Sequence, residues 1–339
     1  MDQNHPYKKL RIPKDAPFEL RPSPGKGWGV FAIRPIQRGE LILKEKPLFV
    51  VSRGHGMRFD YEIEKEMSAA FKKLSAFDKQ QYFCLRKNGS TEKFKRIVDA
   101  FVENDFSIGS GTDSGLFLLQ SRFNHSCIPN TKIPTQTDGT VARYATKDIS
   151  RGEELTFCYD PSFKFKNRQD RHEYLEHSCN CIACDISTPY QKLSDMRRTF
   201  MRGLQYLTNG VDLDCRKHGP QEDLTTPLFL DLSYKRKAEN FRVRLSTRLI
   251  AGLLTIAMLE EEGLLDDLML QRMQPALKVA GWFKTKSNVA IVKRVMKQST
   301  WAGKFNESLW LWNRDDSADE EVMVGMKAYQ AYSALNMRV

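Results

Sequence analysis

The sequence predicts an α+β protein of two domains, the first β-rich with a helical insertion over about 58–110, the second wholly helical. Three observations carry this expectation. Short runs of strand-forming residues, broken by Pro and Gly, fill the first 55 or so residues and recur beyond about 113. Between these stretches apolar residues fall three and four apart, the helical spacing. After Cys184 that spacing takes over, and Ser187-Thr-Pro-Tyr190 marks the division, giving domains at 1–187 and 188–339. A chain of 339 residues suits two domains of roughly 150 residues each.

Taken in order, 29–33 and 40–49 read as strands, set off by Pro22-Ser-Pro-Gly25 and Arg38-Gly39. Phe71, Leu74 and Phe77, then Phe94, Ile97, Val98 and Phe101, give the insertion its helical faces. Gly109-Ser-Gly111 is a loop. Strands are expected again at 141–145 and 154–159, with Arg151-Gly152 turning between them. Segments 196–207, 241–259, 264–282 and 289–301 read as helices of the second domain.

Composition excludes several classes. Apolar residues at 41% and charged residues at 28% describe a globular chain with a core, neither disordered nor dependent on disulfides. The net charge of +11 divides almost evenly, +6 up to Tyr190 and +5 beyond it, and no basic tail or arm stands out. Nucleic acid is therefore expected only as a weak nonspecific contact. The first twenty residues lack an apolar core, so no secretory signal is expected and the seven cysteines should be reduced thiols of a cytoplasmic or nuclear protein. The longest apolar run, 249–259, falls short of the roughly 20 residues that cross a bilayer, so no membrane association is expected.

Cys179-Asn-Cys181-Ile-Ala-Cys184 places three thiols in six residues, a spacing that suits a tetrahedral thiolate site with zinc as the favoured ion. The fourth ligand is open among Cys127, His172, His177, Asp185 and Cys215. Gly25-Lys-Gly27-Trp-Gly29 precedes a strand where a dinucleotide fingerprint would follow one. Its glycines let backbone approach a ligand closely, with Trp28 as a stacking surface. Asn124-His-Ser-Cys127-Ile-Pro-Asn130 gathers polar, ligand-capable residues, and Tyr159 ends the run Gly152-Glu-Glu-Leu-Thr-Phe-Cys-Tyr159.

The order of these four features resembles the SET domain of protein lysine methyltransferases, in particular the SET-and-MYND subfamily and its fungal relatives, over about residues 18–186. The resemblance implies a SET-domain β-fold with a helical insertion, a zinc-binding post-SET segment at about 170–187 and a tetratricopeptide-like helical C-terminal domain. It implies S-adenosylmethionine and zinc as cofactors. Gly27, Trp28 and Gly29 would wrap S-adenosylmethionine with Lys26 near its carboxylate, Asn124 and His125 would bind its methionine and adenosine parts, and Asn104, in Asn104-Asp-Phe106, would add a contact. Tyr159 would be the catalytic tyrosine and part of the cofactor pocket. Cys127 would complete the zinc site with Cys179, Cys181 and Cys184.

Two departures stand out. Residues 45–120 hold only Cys84, so the MYND zinc finger of that subfamily is missing. His177 stands where the family places an aromatic residue against the adenine. The expected function is S-adenosylmethionine-dependent N-methylation of a lysine in a histone or non-histone protein or peptide by a monomeric enzyme. Phe117, Phe123, Tyr144 and Phe157 are candidates for the lysine channel, and the acidic residues at 260–262, 266–267, 315–316 and 319–321 for a cleft that attracts a basic peptide. A SET-fold binding scaffold and a SET-fold enzyme of small-molecule biosynthesis are the alternatives.

Overall fold

A computed structural model describes residues 5–209, apart from 53–59, 88–89, 109–112, 135–138 and 176, together with 213, 255 and 258–266. The expected helices at 264–282 and 289–301, most of 241–259, the loop at 109–111, Cys215 and the acidic residues from Asp267 onward lie outside the described residues. The chain divides into two compact units, Met1–Phe157 and Cys158–Val339.

The first unit is built from three small sheets and a helical insertion. β1 (Phe18–Ser23) and β2 (Gly27–Ala32) form a hairpin in register from Phe18↔Ala32 to Ser23↔Gly27. In β1, Phe18 and Leu20 point inward while Glu19 points out, the period of two that a half-buried strand requires. The tight turn needs left-handed backbone, and Gly25 and Gly27 supply it, each at φ 73°. β10 (Glu154–Phe157) pairs antiparallel with β2 and parallel with β7 (Asn124–His125), giving the order β1-β2-β10-β7.

A second sheet orders β3 (Leu41–Glu45), β9 (Val141–Ala145) and β8 (Thr131–Lys132), and a third orders β4 (Val50–Ser52), β6 (Asp113–Leu116) and β5 (Asp105–Ile108). Apolar residues of the first two sheets, among them Val30, Ile42, Phe123 and Leu155, close one core.

The insertion carries α1 (Asp60–Lys73), α2 (Ala76–Tyr82) and α3 (Ile97–Asn104), as the spacing predicts. Ser75 caps α2 by accepting from the Asp78 N–H at 3.1 Å. Met67, Tyr82, Ala100 and Phe101 pack with Phe49, Val51 and Leu116 into a second core.

In the second unit a 3₁₀ turn (Pro161–Phe165) leads to α4 (Arg168–Leu175), and α5 (Pro189–Asn209) runs 21 residues. Arg198 of α5 and Glu262 are both fully buried and pair at 2.9 Å; Arg197 adds a second contact to Glu262 at 3.2 Å. Ser194 also donates to Glu262, and Arg198 donates to the Phe163 carbonyl at 2.7 Å. Glu262, expected to line a cleft that attracts a basic peptide, is thus an internal ion-pair partner. Among the described residues no helix is long and apolar enough to cross a membrane.

Candidate functional site

In the first unit the polar residues converge on the β1–β2 turn. Glu154, at the start of β10, accepts from Asn124 Nδ2 at 2.7 Å, Ser23 Oγ at 2.9 Å and Lys26 Nζ at 3.3 Å. Asn124 Nδ2 also donates to the Trp28 carbonyl at 3.2 Å, which ties β7 to the turn. Both amide hydrogens of Asn124 are thereby used, and its Oδ1 remains as an acceptor. A Cβ at Gly29 would lie 2.7 Å from Asn124 Nδ2 and closer still to Glu154 Oε1, so a larger residue there would displace both side chains. Trp28 packs on His5 with ring centroids 4.2 Å apart and meets Tyr7 edge-on at 6.1 Å.

The other predicted residues of this unit are more enclosed. His125 is buried, with Nε2 3.3 Å from Cys127 Sγ, itself buried. Asn104, at the end of α3, donates to the Ala100 carbonyl at 2.8 Å and accepts from Arg122, so its side chain is held within the core. Phe117 and Phe123 are core residues, and Phe157 is partly buried.

Sequence reasoning missed the groups that hold this arrangement. Glu45 is one: its carboxylate accepts from the N–H groups of Leu118, Leu119 and Gln120, capping the 3₁₀ turn that leads into Asn124. Burial pushes the Glu45 carboxyl up, and those three N–H groups offset part of the effect. Arg143 is another, fully buried between the rings of Phe123 and Phe157 at 4.0 and 4.2 Å. It donates to Gln120 Oε1 at 2.8 Å. Asn130 bridges strands, accepting from the Thr156 N–H and donating to the Glu154 carbonyl, each at 2.8 Å. Glu45 and Arg143 carry no spacing signature, and only the fold reveals what they touch; Asn130 stands in the polar motif, but its strand-bridging role does not show there.

In the second unit Tyr159 follows β10 by two residues and is 44% exposed. The backbone beyond it is fixed by Asp160, which accepts from the N–H and hydroxyl of Ser162, each at 2.7 Å, and from Lys166 Nζ at 3.2 Å. Burial alone would raise the Asp160 carboxyl, but Ser162 and Lys166 outweigh it and hold the group below its ordinary range.

The sulfurs of Cys179, Cys181 and Cys184 lie within 4.8 Å of one another, and none of the three is in a disulfide. α4 shapes their loop. Arg171 Nη2 donates to the Ala183 carbonyl at 2.9 Å and to Cys184 Sγ at 3.3 Å, and Arg168 Nε donates to the Cys184 carbonyl at 2.9 Å. His172 Nε2 accepts from the Cys179 N–H at 3.2 Å. Burial, then the charge of Arg168, lowers the His172 imidazole and so favours the neutral ring that this acceptor role needs. Soft, clustered sulfur donors beside a buried cation fit a thiophilic metal ion. His177 donates through Nδ1 to the Leu175 carbonyl at 2.7 Å and lines a cleft of about 640 Å³ with Arg168, His172 and Glu173.

Residues 27–160 match the SET domain family. Histone-lysine N-methyltransferase set5 of Schizosaccharomyces pombe is 30% identical over 187 residues, covering 53% of this chain and 54% of that protein. A Gibberella zeae protein named methyltransferase is 27% identical over 226 residues, 50% and 31% of the two chains. Protein-lysine N-trimethyltransferase SMYD5 of Mus musculus is 38% identical over 108 residues, 28% and 26% of the two. The chain thus matches about half or less of the length of these relatives. Residues 27–160, which hold the clamped glycine turn and the strand that leads into Tyr159, are thus similar to the SET domain family, and the chain is similar over part of its length to proteins named as lysine methyltransferases.

Proposed function

We propose that the chain is an S-adenosylmethionine-dependent protein-lysine N-methyltransferase. The carrying observation is the glycine turn clamped through Glu154 to Asn124, which uses the Asn124 amide hydrogens and leaves its Oδ1 as an acceptor. When bound, S-adenosylmethionine supplies an electrophilic methyl group on a sulfonium. Backbone at Gly27, Trp28 and Gly29 would lie against it, Asn124 Oδ1 would accept from its ammonium, and Lys26 would lie near its carboxylate. His125, Asn104 and His177 would add contacts to it.

Tyr159 orients the substrate amine through its hydroxyl, so that nitrogen, methyl and sulfur align. A lysine amine with an ordinary pKa of about 10.4 must be neutral to react, which at pH 7 costs about 4.6 kcal/mol. An apolar channel lowers that cost by disfavouring the ammonium form. Cys179, Cys181 and Cys184, in a post-SET segment at about 170–187, would hold a structural zinc ion together with Cys127. The domains proposed are a catalytic one at 1–187 and a helical, tetratricopeptide-like one at 188–339, of which 188–209, 213, 255 and 258–266 are described. The substrate class is a lysine-bearing protein, histones included, met by a monomer in the nucleus or cytoplasm. The relatives named as histone- and protein-lysine methyltransferases support this reading.

The test is transfer of labelled methyl groups from S-adenosylmethionine to histones and to a proteome extract, with the labelled band identified by mass spectrometry. Tyr159→Phe should lower the rate about 10²-fold while cofactor affinity holds; an unchanged rate removes Tyr159 from the mechanism. A binding scaffold is the second reading, favoured by the enclosure of Asn104 and the engagement of Lys26 with Glu154. Calorimetry that detects no S-adenosylmethionine binding by the zinc-loaded protein would establish that reading instead.

A further inference from the structure

The charge of the first unit is not spread over it. Residues 1–157 carry 26 Lys and Arg against 19 Asp and Glu, an excess of +7. Segments 5–15 and 76–96 alone hold ten Lys and Arg against three acidic residues, again +7, so the remainder of the unit is neutral. The fold brings these distant segments together. Gln81 of α2 accepts from the Arg11 N–H at 2.7 Å and donates to the Lys9 carbonyl at 3.1 Å.

Between the segments lies a cleft of about 440 Å³ lined by His5, Lys8, Lys9, Phe83, Arg86 and Lys93, and among the described residues no carboxylate lines it. Lys8, Lys9 and Lys93 are exposed. Arg86 is pinned by donating to the carbonyls of Phe83 and Leu85, each at 2.8 Å. Convergence shows at Cys84: burial pushes its thiol up, and Arg86, Lys9 and Lys93 all pull against that shift.

Aromatic rings stand beside the cations. Phe83 is 56% exposed, although Tyr82 and Phe71 hold it edge-on at 5.5 and 6.0 Å. Phe77 is 47% exposed with the Arg11 guanidinium 5.8 Å from its ring centre. Rings fixed in place yet open to solvent contribute nothing to the core on their open faces. Beside a groove of cations they form the platform on which unpaired bases stack while phosphates track the charge.

We propose that this cleft binds single-stranded nucleic acid, the phosphates seated on Lys8, Lys9, Arg86 and Lys93 and a base stacked on Phe83. An acidic protein segment would use the cations and leave the rings idle, and a duplex would keep its bases from them. The site is independent of the proposed methyl transfer.

Fluorescence anisotropy of the full chain with a labelled oligothymidylate of about 20 nucleotides tests the proposal. Lys9→Glu/Arg86→Glu/Lys93→Glu should weaken binding at least tenfold and reduce the slope of log affinity against log salt by about 2, three phosphate contacts at roughly 0.7 each. Lys65→Glu/Lys73→Glu/Lys147→Glu, exposed lysines of the same unit, carries the same net charge and should cost less than about threefold. Phe83→Ala, an exposed position that leaves the charge intact, should cost about fivefold by loss of stacking. Equal losses in the two triple variants would overturn the site in favour of bulk charge. Displacement by polyglutamate as effective as by unlabelled oligonucleotide would reassign the cleft to an acidic protein. Equal affinity for the duplex, or no effect of Phe83→Ala, would remove the single-strand assignment.

Discussion

In the first unit a carboxylate gathers donors: Glu154 draws Ser23, Lys26 and Asn124 around the glycine turn while keeping part of its surface in water. In the second unit guanidinium groups gather acceptors: Arg171 holds the Ala183 carbonyl and Cys184 Sγ, and Arg198 holds Glu262 and the Phe163 carbonyl, both arginines without solvent contact. The two arrangements differ in what a lost partner leaves behind. A partly hydrated group can turn to water; a sealed one cannot. The first unit's polar network therefore tunes a site, whereas the second unit's network is also a structural requirement.

Breaking the sealed pair should give the largest effect. Arg198→Ala leaves Glu262 without its fully buried guanidinium partner and should destabilise the protein by about 3–5 kcal/mol, read as a lower urea midpoint. Loss below about 1 kcal/mol would place the pair on the hydrated side of the comparison.

Arg171→Lys keeps the positive charge and loses the fork that reaches both the Ala183 carbonyl and Cys184 Sγ. It should weaken zinc binding roughly 10- to 100-fold, the usual effect of disturbing groups behind the ligands, measured by competition with a chromophoric chelator. Glu154→Gln tests the hydrated side. Removing the carboxylate charge should loosen Asn124 and Lys26 and lower S-adenosylmethionine affinity by about tenfold, the scale of one charged hydrogen bond, with little change in melting temperature. A large fall in melting temperature with unchanged cofactor affinity would reverse the assignment of the two networks.

Legibility followed the same divide. The thiol cluster, the glycine turn and the helical faces of the insertion were readable because ligand spacing, turn chemistry and periodicity are local properties of the chain. Glu45, Arg143, Arg171 and Glu154 were not, because a charged residue buried by distant segments looks in sequence like any surface charge. Glu262 shows the error plainly: read within its acidic run it belongs on the surface, and only Arg197 and Arg198, more than sixty positions earlier, explain its burial. Charge misled in the opposite direction as well. The even division of +11 about Tyr190 concealed two basic segments some seventy positions apart that share one cleft.

The parallel pairing of β7 with β10 has a kinetic consequence. Thr156 pairs with Asn124 and Phe157 with His125, a pairing that no two-residue hairpin can close. The intervening chain has to deposit β8 and β9 in another sheet before the two strands meet. Contacts of such long range carry the loop-closure entropy of everything between them and slow folding. The hairpin of β1 and β2 is local and can form early, so the glycine turn should exist before the strand that bears Asn124 is docked. Cofactor present during refolding would then act late, by trapping the docked strand.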